Sequence, residues 1–337
     1  MLLPAVTGVL KATIDAGDDL EAAELLKDLV ELTRTSVGLF RPCIHEIGTA
    51  MVSVVNTAGC DEDVRRLATE FLVSLCENAG LQVRKNKTIV EAVIPAALGL
   101  MAEFDVADNW ASLPYDAEHM GGDQEEDPDS CSAMGAEAMY RLSKTLHGGI
   151  MLPVAFAHIP AALKSANPAV RRAAVLAPGL MGEGCFRVMR EQLATVLGMV
   201  LPALADPDMT VRHAVITTLA FFSADFGVKV RCPAPNTLPS TNVDIADDLA
   251  LLQSFFQNKY HSRVIPALVG AMHAKSGNPL RLRCHAAQGI VHFAVGNKCS
   301  GKVMAKYLDG LLEGTVGLLQ SPYVCAELRH LLHVGGV

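Results

Sequence analysis

Three patterns in this sequence hold residue types that do chemistry. Gly296–Lys302 reads GNKCSGK and fits G-x-x-x-x-G-K. A phosphate loop also needs a Ser or Thr hydroxyl for Mg²⁺, and Val303 stands in that place. The second pattern is the adjacent pair Cys284-His285. No C-x-x-C or H-E-x-x-H spacing accompanies it, so no metal site is expected. Neither is a nucleophile elbow of the G-x-S-x-G kind present. These absences predict no catalysis and no cofactor. The third pattern is a set of carboxylates at a fixed distance from a repeated Val-Arg step. Glu77 and Glu183 each lie 13 residues beyond its valine, and Asp225 lies 14 beyond. His292 lies 10 beyond the matching Leu282. Offsets of 10, 13 and 14 share one helical face. Acidic groups near a helix C-terminus oppose the helix dipole, so their recurrence there points to a partner, with solvated helix ends as the alternative.

The elements that must present those side chains are repeats. Val-Arg steps occur at Val64-Arg65, Val170-Arg171, Val211-Arg212 and, as Leu-Arg, Leu282-Arg283; the middle two are 41 residues apart. An (Ile/Leu)-Pro marker precedes most of them, at Ile94-Pro95, Ile159-Pro160, Leu201-Pro202 and Ile265-Pro266. A period near 41–42 residues belongs to two-helix HEAT-type units. In each unit an apolar helix A carries the proline, which removes one hydrogen bond and bends it. Asn167-Pro168 and Asp206-Pro207 then end helix A and start helix B. Val170, Ala173, Ala174, Ala177 and Leu180 make one face of B apolar. One pair cannot bury that face alone, but stacked neighbours can. The expected fold is therefore all-α, a right-handed HEAT-repeat α-solenoid spanning residues 1–337 as a single array. About seven pairs are expected, at roughly 2–37, 41–79, 86–147, 150–184, 190–226, 258–296 and 303–335.

Composition agrees. Half the residues are apolar and only 5% aromatic, which suits close packing of helices by small side chains. A net charge of −8 disfavours a nucleic-acid partner and favours a basic one. Nine scattered cysteines read as reduced thiols. The most apolar window, Thr195–Ala205, is too short for a membrane span. Met1 enters a helical pattern without a cap, as a piece cut from a longer array would. Two stretches break the period. Residues 103–130 form an acidic loop insertion. From Glu103 to Asp129 it holds ten Asp or Glu, no Lys or Arg, and the sole tryptophan, Trp110. Composition reads it as a solvated loop, with an electrostatic latch for a basic partner as the sharper reading. Residues 228–248, rich in proline and polar residues, read as a flexible loop between repeats.

The segments AMGAEAMYRLSKTLHGGIMLP, MGEGC, DPDMTVRHAV, SADFG, RCHAAQGIVHF and KYLDGLL, in that order, resemble the middle of karyopherin-β (importin-β) nuclear transport receptors. The importin-beta-3 branch is the most similar, since FDVADNW and its acidic tract look like that branch's acidic loop. The resemblance implies a segment of a nuclear import receptor moving between cytoplasm and nucleus. It implies Lys-rich nuclear localisation signals held on the concave B-helix face, Ran-GTP as the release factor, and phenylalanine-glycine repeats of the nuclear pore as further partners. Glu183 and Asp225 match the branch's cargo-binding carboxylates. His292 stands where the family usually has Asn, and Tyr140 where it has Asp; Glu137, one turn earlier, is a partial substitute. Asp123, Glu125, Glu126, Asp127 and Asp129 of the acidic loop are the implied Ran contacts. The alternative is a generic HEAT scaffold with no transport role.

Overall fold

The computed structural model describes residues 2–57, 59–105, 110–112, 127, 129–226, 255–294 and 299–321. Among them no strand occurs. The run Gly289–Ala294, which precedes the phosphate-loop look-alike, is helical, and Ser300 merely caps a short helix by accepting from the Val303 N–H at 3.3 Å. The strand–loop–helix context of a phosphate site is therefore missing.

The chain packs as two compact units: Met1–Asp105 with Gly122–Val196, and Val106–Gly121 with Leu197–Val337. In the first unit, helices α1 (Leu2–Ala16), α3 (Ile44–Val55), α6 (Lys87–Met101) and α8 (Gly148–Ala162) are the A helices. Their B partners are α2 (Asp19–Thr35), α4 (Glu62–Asn78), α7 (Cys131–Leu146) and α9 (Pro168–Met181); a short α5 (Gly80–Lys85), absent from the repeat pattern, bridges α4 and α6. Each A helix packs on the next A helix and each B on the next B, so the unit has two layers. α10 (Phe186–Val200) follows. In the second unit come α11 (Met209–Asp225), α12 (Phe255–Met272), α13 (Leu280–Ala294), α14 (Gly301–Met304) and α15 (Leu308–Leu319). Among the described residues, the helices of both units, α5 apart, fall within a few residues of the spans expected from the repeat. Residues 228–248 lie outside the described residues.

Local chemistry explains the boundaries. Asp61 and Asn167 cap α4 and α9 by accepting from Asp63 N and Ala169 N, both at 2.9 Å. The cap of α11 is Asp208, not Asp206: its carboxylate takes the Thr210 and Val211 N–H groups at 2.8 and 3.3 Å. Asp206 instead takes the Asp208 N–H at 2.9 Å, which shapes the turn through Pro207. Pro95, Pro160 and Pro266 sit inside helices, whereas Pro202 coincides with a switch to a 3-10 segment over Leu201–Ala205. Phe186–Ala205 is also a 20-residue helical segment long and apolar enough to cross a membrane by length and composition, which the shorter count missed. It carries Arg187, Arg190 and Glu191 and stands where a repeat's helix A is due.

The Val-Arg step has a structural task. Three of the four arginines, Arg65, Arg171 and Arg283, reach back to carbonyls at or just beyond the end of the preceding A helix, groups that no intrahelical donor serves. Arg65 Nε donates to Val55 O at 2.9 Å, Arg171 to Ser165 O and Ala166 O at 2.9 and 3.0 Å, and Arg283 Nε to Met272 O at 3.0 Å. The valines and their neighbours fill the core; Val64, Val211 and Leu282 are fully buried. In the second unit Phe222, Phe226, Phe256 and Phe293 form an aromatic cluster with ring centroids 5.7–6.0 Å apart.

Candidate functional site

Four B helices of the first unit stand side by side, and a charged network runs along them. On α4, Glu70 and Glu77 lie two turns apart on one face. Both are claimed by Arg141 of α7. Its guanidinium donates to Glu77 Oε1 and Oε2 at 2.8 and 2.7 Å, and to Glu70 Oε2 and Oε1 at 2.6 and 3.3 Å. Arg34 of α2 and Ser74 donate to Glu70 as well, each at 2.9 Å. Burial pushes the Glu70 carboxyl up, but the hydrogen bonds from Arg141, Ser74 and Arg34 outweigh it and hold the group below its ordinary value. Arg141 is correspondingly raised, first by Glu77 and then by Glu70, against burial. The carboxylate of the expected stripe at Glu77 therefore already has a tight cation.

Glu183 differs. It sits in the turn after α9, partly exposed, on the same layer. Gly184 puts it there. A Cβ at Gly184 would lie 2.3 Å from the carbonyl carbon of Ser143, so only glycine lets this turn rest on the last turn of α7. That contact brings Glu183 against Tyr140, whose hydroxyl donates to Glu183 Oε2 at 2.9 Å. Lys144 completes the group. Its Nζ is 3.1 Å from the same oxygen, hydrogen-bonds Tyr140 Oη, and lies 4.1 Å from the Tyr140 ring centroid. The Lys144 ammonium is raised above its ordinary value, first by Tyr140 and then by Glu183, with burial opposing. The arrangement is a seat for an ammonium: a carboxylate, a phenolic oxygen and an aromatic face.

The structure thus brings Tyr140 and Glu183 together. Glu137 is exposed one turn before Tyr140 on α7. In the second unit, Asp225 is the last residue of α11 and His292 lies near the end of α13; both are partly exposed, and α11 and α13 pack on one another. Of the acidic-loop residues, Asp123, Glu125 and Glu126 lie outside the described residues. Asp127 and Asp129 are exposed; Asp127 accepts from Asp129 N at 2.9 Å, and Asp129 pairs with Arg66 at 3.5 Å.

Sequence reasoning missed three features. Arg141 and Lys144, the internal cations, follow directly on Tyr140 at i+1 and i+4, a spacing that was open to reading. The base of the acidic insertion is pinned in the first unit: Arg65 grips Glu103 in a fork at 2.7 and 2.5 Å, and Arg172 stacks on Phe104 at 3.4 Å. Trp110 is not solvated, as composition suggested for this loop. It is 3% exposed within the second unit, edge-on to His213 with centroids 5.2 Å apart and under Arg281 at 4.7 Å. His213 in turn stacks on His285 at 3.9 Å. His285 is also held by Thr217 at 2.9 Å and is buried, so it packs in the core, while Cys284 is partly exposed. Among the described residues no cluster of metal-ligating groups occurs, and all cysteines are free thiols.

Away from the charged layer, a cavity of about 530 Å³ lies between α6 and α8. Val90, Ile150, Pro153, Val154 and Ala157 give it apolar walls, and Arg84, Lys87 and His158 polar edges.

Comparison with known proteins now bears on this geometry. A family model described as Importin repeat matches residues 58–153. Importin subunit beta-3 of Saccharomyces cerevisiae is 25% identical over 322 residues, 95% of this chain and 26% of that protein. The crystal structure of Kap121p bound to Pho4p is similar with a TM-score of 0.78 and 25% identity, over 95% of this chain and 28% of Kap121p. The structure of Kap121p bound to RanGTP matches with a TM-score of 0.79 at 24% identity and the same coverage. The chain therefore spans about a quarter of the length of these relatives. With the repeat, the helical fold of the described residues and the ordered motifs in agreement, this chain is similar to karyopherin-β receptors of the importin-beta-3 type.

Proposed function

We propose that this chain is a cargo-binding segment of a nuclear import receptor. It takes Lys-rich nuclear localisation signals along its B helices and moves between cytoplasm and nucleus. The observation that carries the reading is that Glu183, the carboxylate matching a cargo-binding position of the branch, already holds a lysine ammonium at 3.1 Å. A second carboxylate, Asp225, follows 42 residues later, one repeat on. An extended peptide with spaced lysines meets such groups one repeat at a time. Each charge-assisted bond is worth about 1.5–3 kcal/mol before costs. Tyr140 and His292, where the family has Asp and Asn, turn those subsites away from simple charge pairing toward cation–π and neutral hydrogen bonding, so cargo preference shifts.

Kap121p has been crystallised with Pho4p and, in the same fold, with RanGTP. By that likeness the cargo is a protein and Ran-GTP a further partner, with Asp127 and Asp129 and the neighbouring acidic-loop residues as Ran contacts. The apolar cavity between α6 and α8 suits a phenylalanine side chain of a pore repeat. Nothing in this reading calls for catalysis. The test is an anisotropy titration with a fluorescein-labelled Lys-rich localisation peptide. Saturable binding that weakens as salt rises is expected; no saturable binding at low salt refutes the reading.

A further inference from the structure

We propose that Lys144 is a built-in competitor for cargo lysine: it occupies the Glu183 seat in the free receptor, must be displaced on binding, and so sets the selectivity of this subsite. This inference rests on the reading above and adds to it the residue that governs it.

The two internal cations of α7 behave differently, and the geometry says why. Arg141 is a planar fork that engages both Glu70 and Glu77 through four hydrogen bonds, with its side chain 22% exposed. An incoming ammonium cannot match that. Lys144 is a single point charge on a flexible stem, 43% exposed, meeting the Glu183 carboxylate at one oxygen. Exposed pairs of this kind are weak and exchange readily. Lys144 also sits in the last turn of α7, where the helix dipole favours a cation, so it keeps a favourable place when it leaves the seat.

Exchange of one ammonium for another conserves the number of ion pairs at Glu183. The net gain from seating a single cargo lysine is therefore small. A peptide with one lysine gains almost nothing here, whereas one that also engages the next repeat displaces Lys144 through its added contacts. Tyr140 serves both occupants: its hydroxyl fixes the carboxylate oxygen, and its ring covers whichever ammonium is seated.

The experiment titrates the labelled Lys-rich peptide into wild type, Lys144→Gln and Lys144→Arg, each with and without Glu183→Gln. Lys144→Gln is expected to bind roughly two- to fivefold more tightly, because a nearby like charge is gone. Lys144→Arg is expected to bind more weakly than wild type, since a guanidinium holds the carboxylate better. Both effects should vanish in the Glu183→Gln background. A Lys144→Gln protein that binds the peptide no more tightly than wild type overturns the inference. A second readout needs no peptide. Reductive ¹³C-methylation followed by NMR should show Lys144 titrating higher than an ordinary lysine, and falling part of the way back in Glu183→Gln, since Tyr140 still raises it. If that titration ignores Glu183, the seat itself is refuted; if it responds but no variant binds peptide, the cargo reading fails while the internal ion pair stands.

Discussion

Arg141→Met tests the charged layer most simply, because it removes the fork while keeping much of the side-chain volume. Arg141 serves two carboxylates with unequal exposure. Glu77 is 37% exposed, so its share counts as a surface pair, about 0.2–1 kcal/mol. Glu70 is 17% exposed, and its charge-assisted bonds to Arg141 are worth about 1.5–3 kcal/mol. Ser74 and Arg34 still serve Glu70 in the variant, which keeps the loss toward the lower half of the sum. The expectation is about 2–3 kcal/mol, or roughly 30- to 150-fold more frequent opening of α7 against α4. Native-state hydrogen exchange of α7 amides reads this directly. The sign with pH is fixed by Glu70. Its folded pKa is depressed, so its contribution is present above the ordinary value of 4.5 and is lost as pH falls through the lower folded value. The gap between wild type and Arg141→Met should therefore narrow as pH drops below about 4.5. A loss under about 0.5 kcal/mol at neutral pH, or a gap that does not change on acidification, would show that the network contributes nothing.

Other outcomes follow from single positions. Gly184→Ala should cost about 1–3 kcal/mol, because its Cβ would overlap the Ser143 backbone, and should weaken peptide binding by displacing Glu183; thermal unfolding and the titration check both. His147, at φ 65° between α7 and α8, holds a conformation that suits glycine, so His147→Gly should raise stability by about 1 kcal/mol, seen as a higher Tm. Burial pushes the thiols of Cys76 and Cys185 up to about 12, so neither should react with a disulfide reagent at pH 8 until the protein is denatured.

Much of this molecule was legible in its sequence. The Val-Arg and Ile-Pro markers put hairpins near their observed positions because core valines, caps and helix-end arginines must recur wherever the same two-helix unit is stacked. Glu183 stood out by its offset of 13 residues from the Val-Arg step; that Gly184 lets its turn rest on α7 became visible only in the packing. What the sequence concealed were contacts between repeats. Lys144 and Arg141 look like ordinary surface cations of one helix, and only packing of α7 between α4 and α9 shows which carboxylates they meet. Trp110 misled for the opposite reason. Its acidic neighbours read as solvated, while the ring is buried beside His213 and Arg281, which come from elements about 100 and 170 residues further along. Period and composition carry no information about partners at such separations.

Reversing two charges probes the heart of the account. Glu183→Lys combined with Asp225→Lys should leave the helical circular dichroism intact, yet eliminate detectable association with a Lys-rich import signal. Full retention of affinity by this folded double variant would contradict the role given to the row of carboxylates.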